Sequence, residues 1–314
     1  MEKLYDMIVI GGGPGGYTAA LYAARAGLRT LVLEKLSAGG QMALTSQIDN
    51  YPGFPQGVDG WELGEAMKQG AERFGAETEL AEVFSLELSQ QPKRLETSEG
   101  TFLAKTVVLA TGATPRLLGV ERETALTGRG VNYCAHCDGM FYKGKTVAVV
   151  GGGNSAVADA LYLSRICQKV YLIHRRDTLR ATKVYHETLF SAPNIEFIGN
   201  AQVQQLRAEG RLTGLVLEST LDGSVRELEC QGVFISVGRQ PATGFLGGQL
   251  ALDESGYIVA DETTRTGIPG VFAVGDIRTK ALRQIVTATA DGANAAHFAE
   301  EYLSQLAVPL PKPI

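Results

Sequence analysis

Cys134 and Cys137 stand two residues apart in the run Cys134-Ala135-His136-Cys137-Asp138. A Cys-x-x-Cys pair has three common uses: half of a zinc site, a redox couple, or two small buried hydrophobes. A closed zinc site takes four ligands. The other cysteines, Cys167 and Cys230, stand singly, and three histidines lie outside the motif. Redox use is the leading reading, with inert burial as its alternative. Thiol–disulfide exchange needs a thiolate, and such a setting can lower a thiol pKa from ~8.5 to between roughly 3.5 and 7.5. Asp138 beside the pair suits a proton shuttle. It suits a helix N-cap equally, and both readings stay open. Cys167 and Cys230 fall at a helix end and a strand end and read as buried structural cysteines.

Two glycine turns follow short apolar runs. Gly11, Gly13 and Gly16 keep the Gly-x-Gly-x-x-Gly spacing, with Pro14 where a helix would begin. The first glycine permits a tight turn, the second lets backbone amides approach a pyrophosphate, and the third lets helix and strand pack closely. Glu34 comes eighteen residues after Gly16, near the ~20 expected of an acid that grips ribose hydroxyls. An acid there repels a 2′-phosphate, so this turn suits FAD or NAD. Gly151, Gly153 and Ala156 repeat the turn about 140 residues later, with Asn154 and Ser155 inside it. No acid closes this unit; His174, Arg175, Arg176 and Arg180 stand there instead. Guanidinium groups match phosphate geometry with paired donors, so the second turn suits NADPH. The alternatives are a ligand-free glycine turn and a solvated arginine cluster.

The elements that must position these residues are legible from pattern. Residues 6–10 and 29–33 read as buried strands around a helix that runs to about Ala26. Residues 146–150 and 169–173 repeat the unit around a helix to about Ile166. Two copies of one β-α-β unit predict two dinucleotide-binding domains. Residues 82–103 alternate as a β-meander would, and 201–208, 212–219 and 225–230 form a second meander. Strands are expected at 106–110, 233–237 and 271–274, and a long amphipathic helix from Arg283 to Leu306. The expected fold is α/β, with two Rossmann-like domains that each combine a parallel sheet with a β-meander.

Composition excludes other classes. The 314 residues suit two domains, and 38 glycines gather at turns without periodicity. The net charge of −5 is well mixed, which argues against nucleic acid as a partner. No apolar run approaches the roughly 18 residues of a membrane span. The first strand pattern begins near Asp6 and four cysteines do not make a disulfide framework, so a cytoplasmic protein is expected.

The runs GGGPGG at 11–16, GGQ at 39–41, ATG at 110–112, CAHCDG at 134–139, GGGNSA at 151–156, HRRDTLR at 174–180 and VGD at 274–276, in this order, closely resemble the low-molecular-weight thioredoxin reductases. The resemblance covers nearly the whole chain. It implies a thioredoxin-disulfide reductase that passes electrons from NADPH through FAD to Cys134/Cys137 and on to a thioredoxin, as a homodimer. It implies an FAD domain of residues 1–116 and 243–314, with an NADPH domain of 117–242 inserted. Gly40, Gln41, Asn50, Thr111 and Gly112 would join the FAD site. Gly275 and Asp276 would bind the flavin's ribityl or phosphate region, and Arg283 and Gln284 would lie beside the flavin. Cys137 would face the flavin, Cys134 would attack the partner's disulfide, and Asp138 would be the acid/base. Arg129 and the residues after Gly139 would help dock the partner. The family rotates one domain against the other, with hinges expected near Pro115-Arg116 and Pro241-Ala242. Departures are His136 inside the dithiol motif, Met140 in the docking loop and Ala158-Asp159 after the second glycine turn. An imidazolium at His136 would make the dithiol more oxidising; a solvated surface histidine is the alternative. Rival readings keep the fold and change the partner: a glutaredoxin-like or peroxidase-linked acceptor, a small-molecule dithiol oxidase, or a ferredoxin-linked reductase. A non-catalytic nucleotide sensor is the reading from another class.

Overall fold

A computed structural model describes residues 3–45 and 47–307. The chain runs β1 (Leu4–Ile10), α1 (Pro14–Arg25), β2 (Thr30–Glu34), α2 (Gly60–Glu72), β3 (Glu77–Leu80), β4 (Val83–Glu87), β5 (Lys93–Thr97), β6 (Gly100–Leu109) and β7 (Ala113–Pro115). It continues through β8 (Val131–Asn132), α3 (Ala135–Asp138), β9 (Thr146–Val150), α4 (Asn154–Ser164), β10 (Lys169–Ile173), α5 (His186–Ser191) and β11 (Ile195–Ile198). Then come β12 (Ala201–Glu209), β13 (Arg211–Ser219), β14 (Val225–Glu229), β15 (Gly232–Ile235), β16 (Arg239–Pro241), β17 (Val271–Ala273) and α6 (Ile285–Ala307). Two compact units result. One joins the residues up to Thr114 to those from Gln240 onward; the other is Pro115–Arg239.

In the first unit, β3, β2, β1 and β6 pair in parallel in that order, and β17 pairs in parallel with β6. Successive residues of β1 point to opposite faces, and both faces are buried. Ile8 and Ile10 enter one core with Leu31, Leu33 and Leu109; Met7 and Val9 enter another with Ala20, Ala23 and Phe272. Burial on both faces explains why β1 reads as an unbroken apolar run. The sequence pattern broke the meander from the next strand near residue 105, yet β6 is one strand of 10 residues. Its first half pairs antiparallel with β5 and its second half parallel with β1 and β17. Exposure changes to full burial along it, so the apolar pattern changes while the backbone runs on.

The second unit repeats the plan with β11, β10, β9, β15 and β8 in parallel. Its meander is β12, β13 and β14. Both units are α/β, each a parallel sheet joined to a meander. Neither α2, β3 nor β11 follows from the sequence pattern; the short strands β3 and β11 are edge strands. Among the described residues no helix is long and apolar enough to cross a membrane.

Candidate active site

The first glycine turn lies between β1 and α1. Gly11 has φ +105°, and a Cβ there would sit 2.6 Å from the Ala110 carbonyl oxygen, so only glycine fits. At Gly16 a Cβ would overlap the Gly11 carbonyl oxygen. Over Gly13 nothing lies within 4 Å of that position. Gly13 is the N-cap of α1, with Pro14 in its first turn and no side-chain cap. The first-turn amides are therefore left for another acceptor. Glu34 ends β2, buried, and its carboxylate accepts the Gly12 N–H at 2.5 Å and the Leu36 N–H at 3.0 Å. Gly39 donates its N–H to the Gly12 carbonyl at 2.8 Å, which lays Gly40, the residue before Gln41, against Gly13.

Several distant residues of the same unit are tied together. Asn50 Nδ2 donates to Gln284 Oε1 at 2.9 Å across 234 residues of sequence. Arg283 lies with its guanidinium carbon 3.9 Å from the Tyr257 ring centre and donates to the Arg278 carbonyl. Its Nε is buried with no partner. Thr111 donates to the Ala242 carbonyl at 3.0 Å, and Gly112 (φ +69°) has open space on its Cβ side. Gly275 (φ +70°) and Asp276 follow β17 after one residue, Val274.

The second turn is built alike. A Cβ at Gly151 would overlap the Ser236 carbonyl oxygen, while Gly153 faces open space and caps α4 without a side-chain bond. Ala156 is fully buried and Ser155 is exposed. Asn154 Oδ1 accepts the Thr182 N–H at 2.8 Å, and Gly152 O accepts the Arg180 N–H at 2.7 Å. These bonds fold the 176–182 loop back over the turn. Arg175, Arg176 and Arg180 are exposed there. His174 differs: its ring is buried against Gly152, where a Cβ would collide with it, and its Nε2 has no partner. Burial first, then the charges of Arg180, Arg175 and Arg176, push the His174 pKa down. A neutral ring packed under the turn shapes the site and adds no charge to it.

Cys134 and Cys137 form a disulfide with their Cα atoms 5.3 Å apart. Cys134 is extended and caps α3; its Sγ accepts the Cys137 N–H at 3.2 Å. An amide aimed at that sulfur favours its thiolate once the bond is reduced. Asp138 stands at the N-cap position of the short turn Gly139–Tyr142, but its side chain makes no capping bond there. Burial pushes its pKa up to about 6, which keeps the acid form present near neutral pH. His136 is exposed, with its ring 4.2 Å from that of Tyr162 on α4. Met140 and Phe141 follow as exposed apolar residues. Cys167 and Cys230 are free and buried, and burial pushes their thiols up to about 11 and about 12, away from reactivity.

Three functional neighbours escaped the sequence reading. Tyr17 is buried beside Gly12 and Glu34. Ser236 donates to Asp159 at 2.5 Å. Asp291 gathers Gly275, Arg278 and Lys280. Asp291, a single acid on an amphipathic helix, carries no spacing signal, and neither do Tyr17 and Ser236, whose contacts are made by the fold.

The sequence profile of the family described as "Pyridine nucleotide-disulphide oxidoreductase" matches residues 5–292. The chain is similar to a thioredoxin reductase of Streptomyces clavuligerus, 46% identical over 98% of this chain and 96% of that one. It is similar to one of Listeria monocytogenes, 45% identical over 97% and 96%. The crystal structure of thioredoxin reductase from Streptococcus pyogenes superposes with a TM-score of 0.91 at 41% identity, covering 97% of this chain and all of that one. With the nucleotide turns, the dithiol and these matches in place, the chain belongs to the pyridine nucleotide-disulphide oxidoreductase family.

Proposed function

We propose that this chain is an NADPH-dependent thioredoxin reductase with FAD as its resident cofactor, acting as a cytoplasmic homodimer. The observation that carries the reading is a contrast within one chain that also holds a Cys134–Cys137 disulfide. A buried Glu34 closes one nucleotide turn, while exposed Arg175, Arg176 and Arg180 close the other. The first unit suits FAD on three grounds: open space over Gly13 and Gly112, uncapped amides at α1, and the orphaned buried Nε of Arg283. Gly11, Gly13, Gly16, Glu34, Gly40, Gln41, Asn50, Thr111, Gly112, Gly275, Asp276, Arg283 and Gln284 would hold it. Bound FAD supplies a ring that accepts hydride and passes an electron pair to a disulfide.

The chain's own residues do the rest. Arg175, Arg176 and Arg180 bind a 2′-phosphate. Asp138, as a neutral acid, hands a proton to the thiolate released when the Cys134–Cys137 bond breaks. Cys134, with the Cys137 amide on its sulfur, attacks a sulfur of the partner's disulfide and forms a mixed disulfide. Cys137 then attacks Cys134 and releases the partner as a dithiol. The net change consumes NADPH, a proton and one disulfide, and yields NADP+ and two thiols. The thioredoxin reductases of matching length support the choice of acceptor.

The cofactor assignment is checked with an Arg175→Ala/Arg176→Ala variant. A charged hydrogen bond is worth ~1.5–3 kcal/mol, so kcat/KM for NADPH is expected to fall about 10- to 100-fold with that for NADH unchanged. Equal loss with both nucleotides would contradict the 2′-phosphate site.

A further inference from the structure

Asp291, on α6, accepts four hydrogen bonds from three residues. Its Oδ2 accepts the Gly275 N–H at 2.8 Å, Arg278 Nε at 2.9 Å and Lys280 Nζ at 2.7 Å, and its Oδ1 accepts Arg278 Nη2 at 2.7 Å. The side chains of Arg278, Asp291 and Lys280 are 1%, 3% and 5% exposed. The remaining Arg278 donors reach the carbonyls of Ala260 and Thr279 and the exposed Glu262. Desolvation makes such a buried network a weak source of stability. Apolar residues of similar volume would serve the core as well. What they could not do is hold a backbone amide.

The amide held is Gly275, in the left-handed region at φ +70°, at the turn that carries Asp276. The next residue on α6, Gly292, lies so close to α1 that a Cβ there would overlap the Gly15 carbonyl oxygen. Gly15 meets Ala288 and Val274 from its own side. One turn of α6 therefore touches the glycine-turn helix with Gly292 and fixes the Gly275 turn with Asp291. We propose that Asp291 is a positioning residue for the cofactor. Through the Gly275 N–H it locks the Gly275 turn in register with the start of α1, while Arg278 and Lys280 neutralise its charge. This rests on the reading of the first unit as an FAD site. It explains why a region with few polar options spends three charges where no solvent reaches.

The test compares FAD affinity of apoprotein prepared from wild type, Asp291→Asn and Lys280→Met, measured by flavin fluorescence with thermal unfolding of each apoprotein alongside. Both substitutions disturb the buried charges and lower apoprotein stability. Only Asp291→Asn weakens the hold on Gly275, and it is expected to raise the FAD dissociation constant at least ~10-fold, with Lys280→Met within about threefold. Unchanged affinity in Asp291→Asn, or equal losses in both, would overturn the proposal. A wild type that takes up no FAD would instead sink the flavin reading. If Asp291→Asn yields no folded apoprotein, hydrogen exchange in wild-type apoprotein decides: the Gly275 amide is expected to be as protected as those of α6, and fast exchange would refute the hold.

Discussion

A Cys137→Ser protein is expected to keep its fold and consume no NADPH on behalf of a thioredoxin. Serine lacks the thiolate that must attack Cys134 and expel the partner's sulfur when the mixed disulfide resolves. The loss of turnover should be at least ~1000-fold, as expected when a group that forms a covalent intermediate is removed. Cys134→Ser should lose turnover to the same degree. The structure predicts a difference between them. Cys134 is the sulfur that receives an amide N–H, so Cys134 in Cys137→Ser should react faster with iodoacetamide at pH 7 than Cys137 in Cys134→Ser, with the buried Cys167 and Cys230 as the common background. Equal alkylation rates would remove the argument for Cys134 as the attacking thiol.

Asp138→Asn carries the second large effect. A positioned general acid contributes typically ~10²–10⁴-fold, and the disulfide-cleaving half-reaction should slow by about that factor. In the wild type the rate of that half-reaction should fall as pH rises through about 6, where the acid form is lost. Asp138→Asn should show no such limb. Stability should also fall as pH rises. The folded pKa is raised above the unfolded value, so Asp138 favours the fold at low pH and costs stability as pH rises through about 6. A shift from 3.8 to about 6 amounts to on the order of 2–3 kcal/mol. Asp138→Asn is therefore expected to unfold at higher temperature than wild type at pH 8 and at about the same temperature at pH 4. Stopped-flow reduction and thermal scans across pH check both halves.

Much of this was written in the sequence, for physical reasons. Gly11, Gly13 and Gly16 are legible because a positive φ and a helix packed on a strand leave no other residue possible at two of the three. Strands β1, β9 and β10 are legible because burial on both faces demands unbroken apolar runs. Glu34 and the arginines after β10 are legible because charge at a strand end has few other uses. Less came through where a residue acts through contact alone. His174 reads only as a neighbour of Arg175 at the strand end, and the structure packs its ring beneath Gly152. The two roles open to Asp138 were indistinguishable until its missing capping bond and its burial were visible. Asp291 looks like an ordinary polar position on a helix, and Asp159 stands out in the sequence only as part of a departure from the family pattern. Their importance lies in residues brought to them by the fold: Gly275, Arg278 and Lys280 for one, Ser236 for the other.

The relay through the dithiol can be tested by counting thiols. Purified protein is titrated anaerobically with NADPH, quenched in denaturant, and its free thiols are measured. Cys167 and Cys230 are free and Cys134 and Cys137 are joined, so the count should rise from two to four per chain as NADPH is consumed. A flavin that bleaches while the count stays at two would contradict the account.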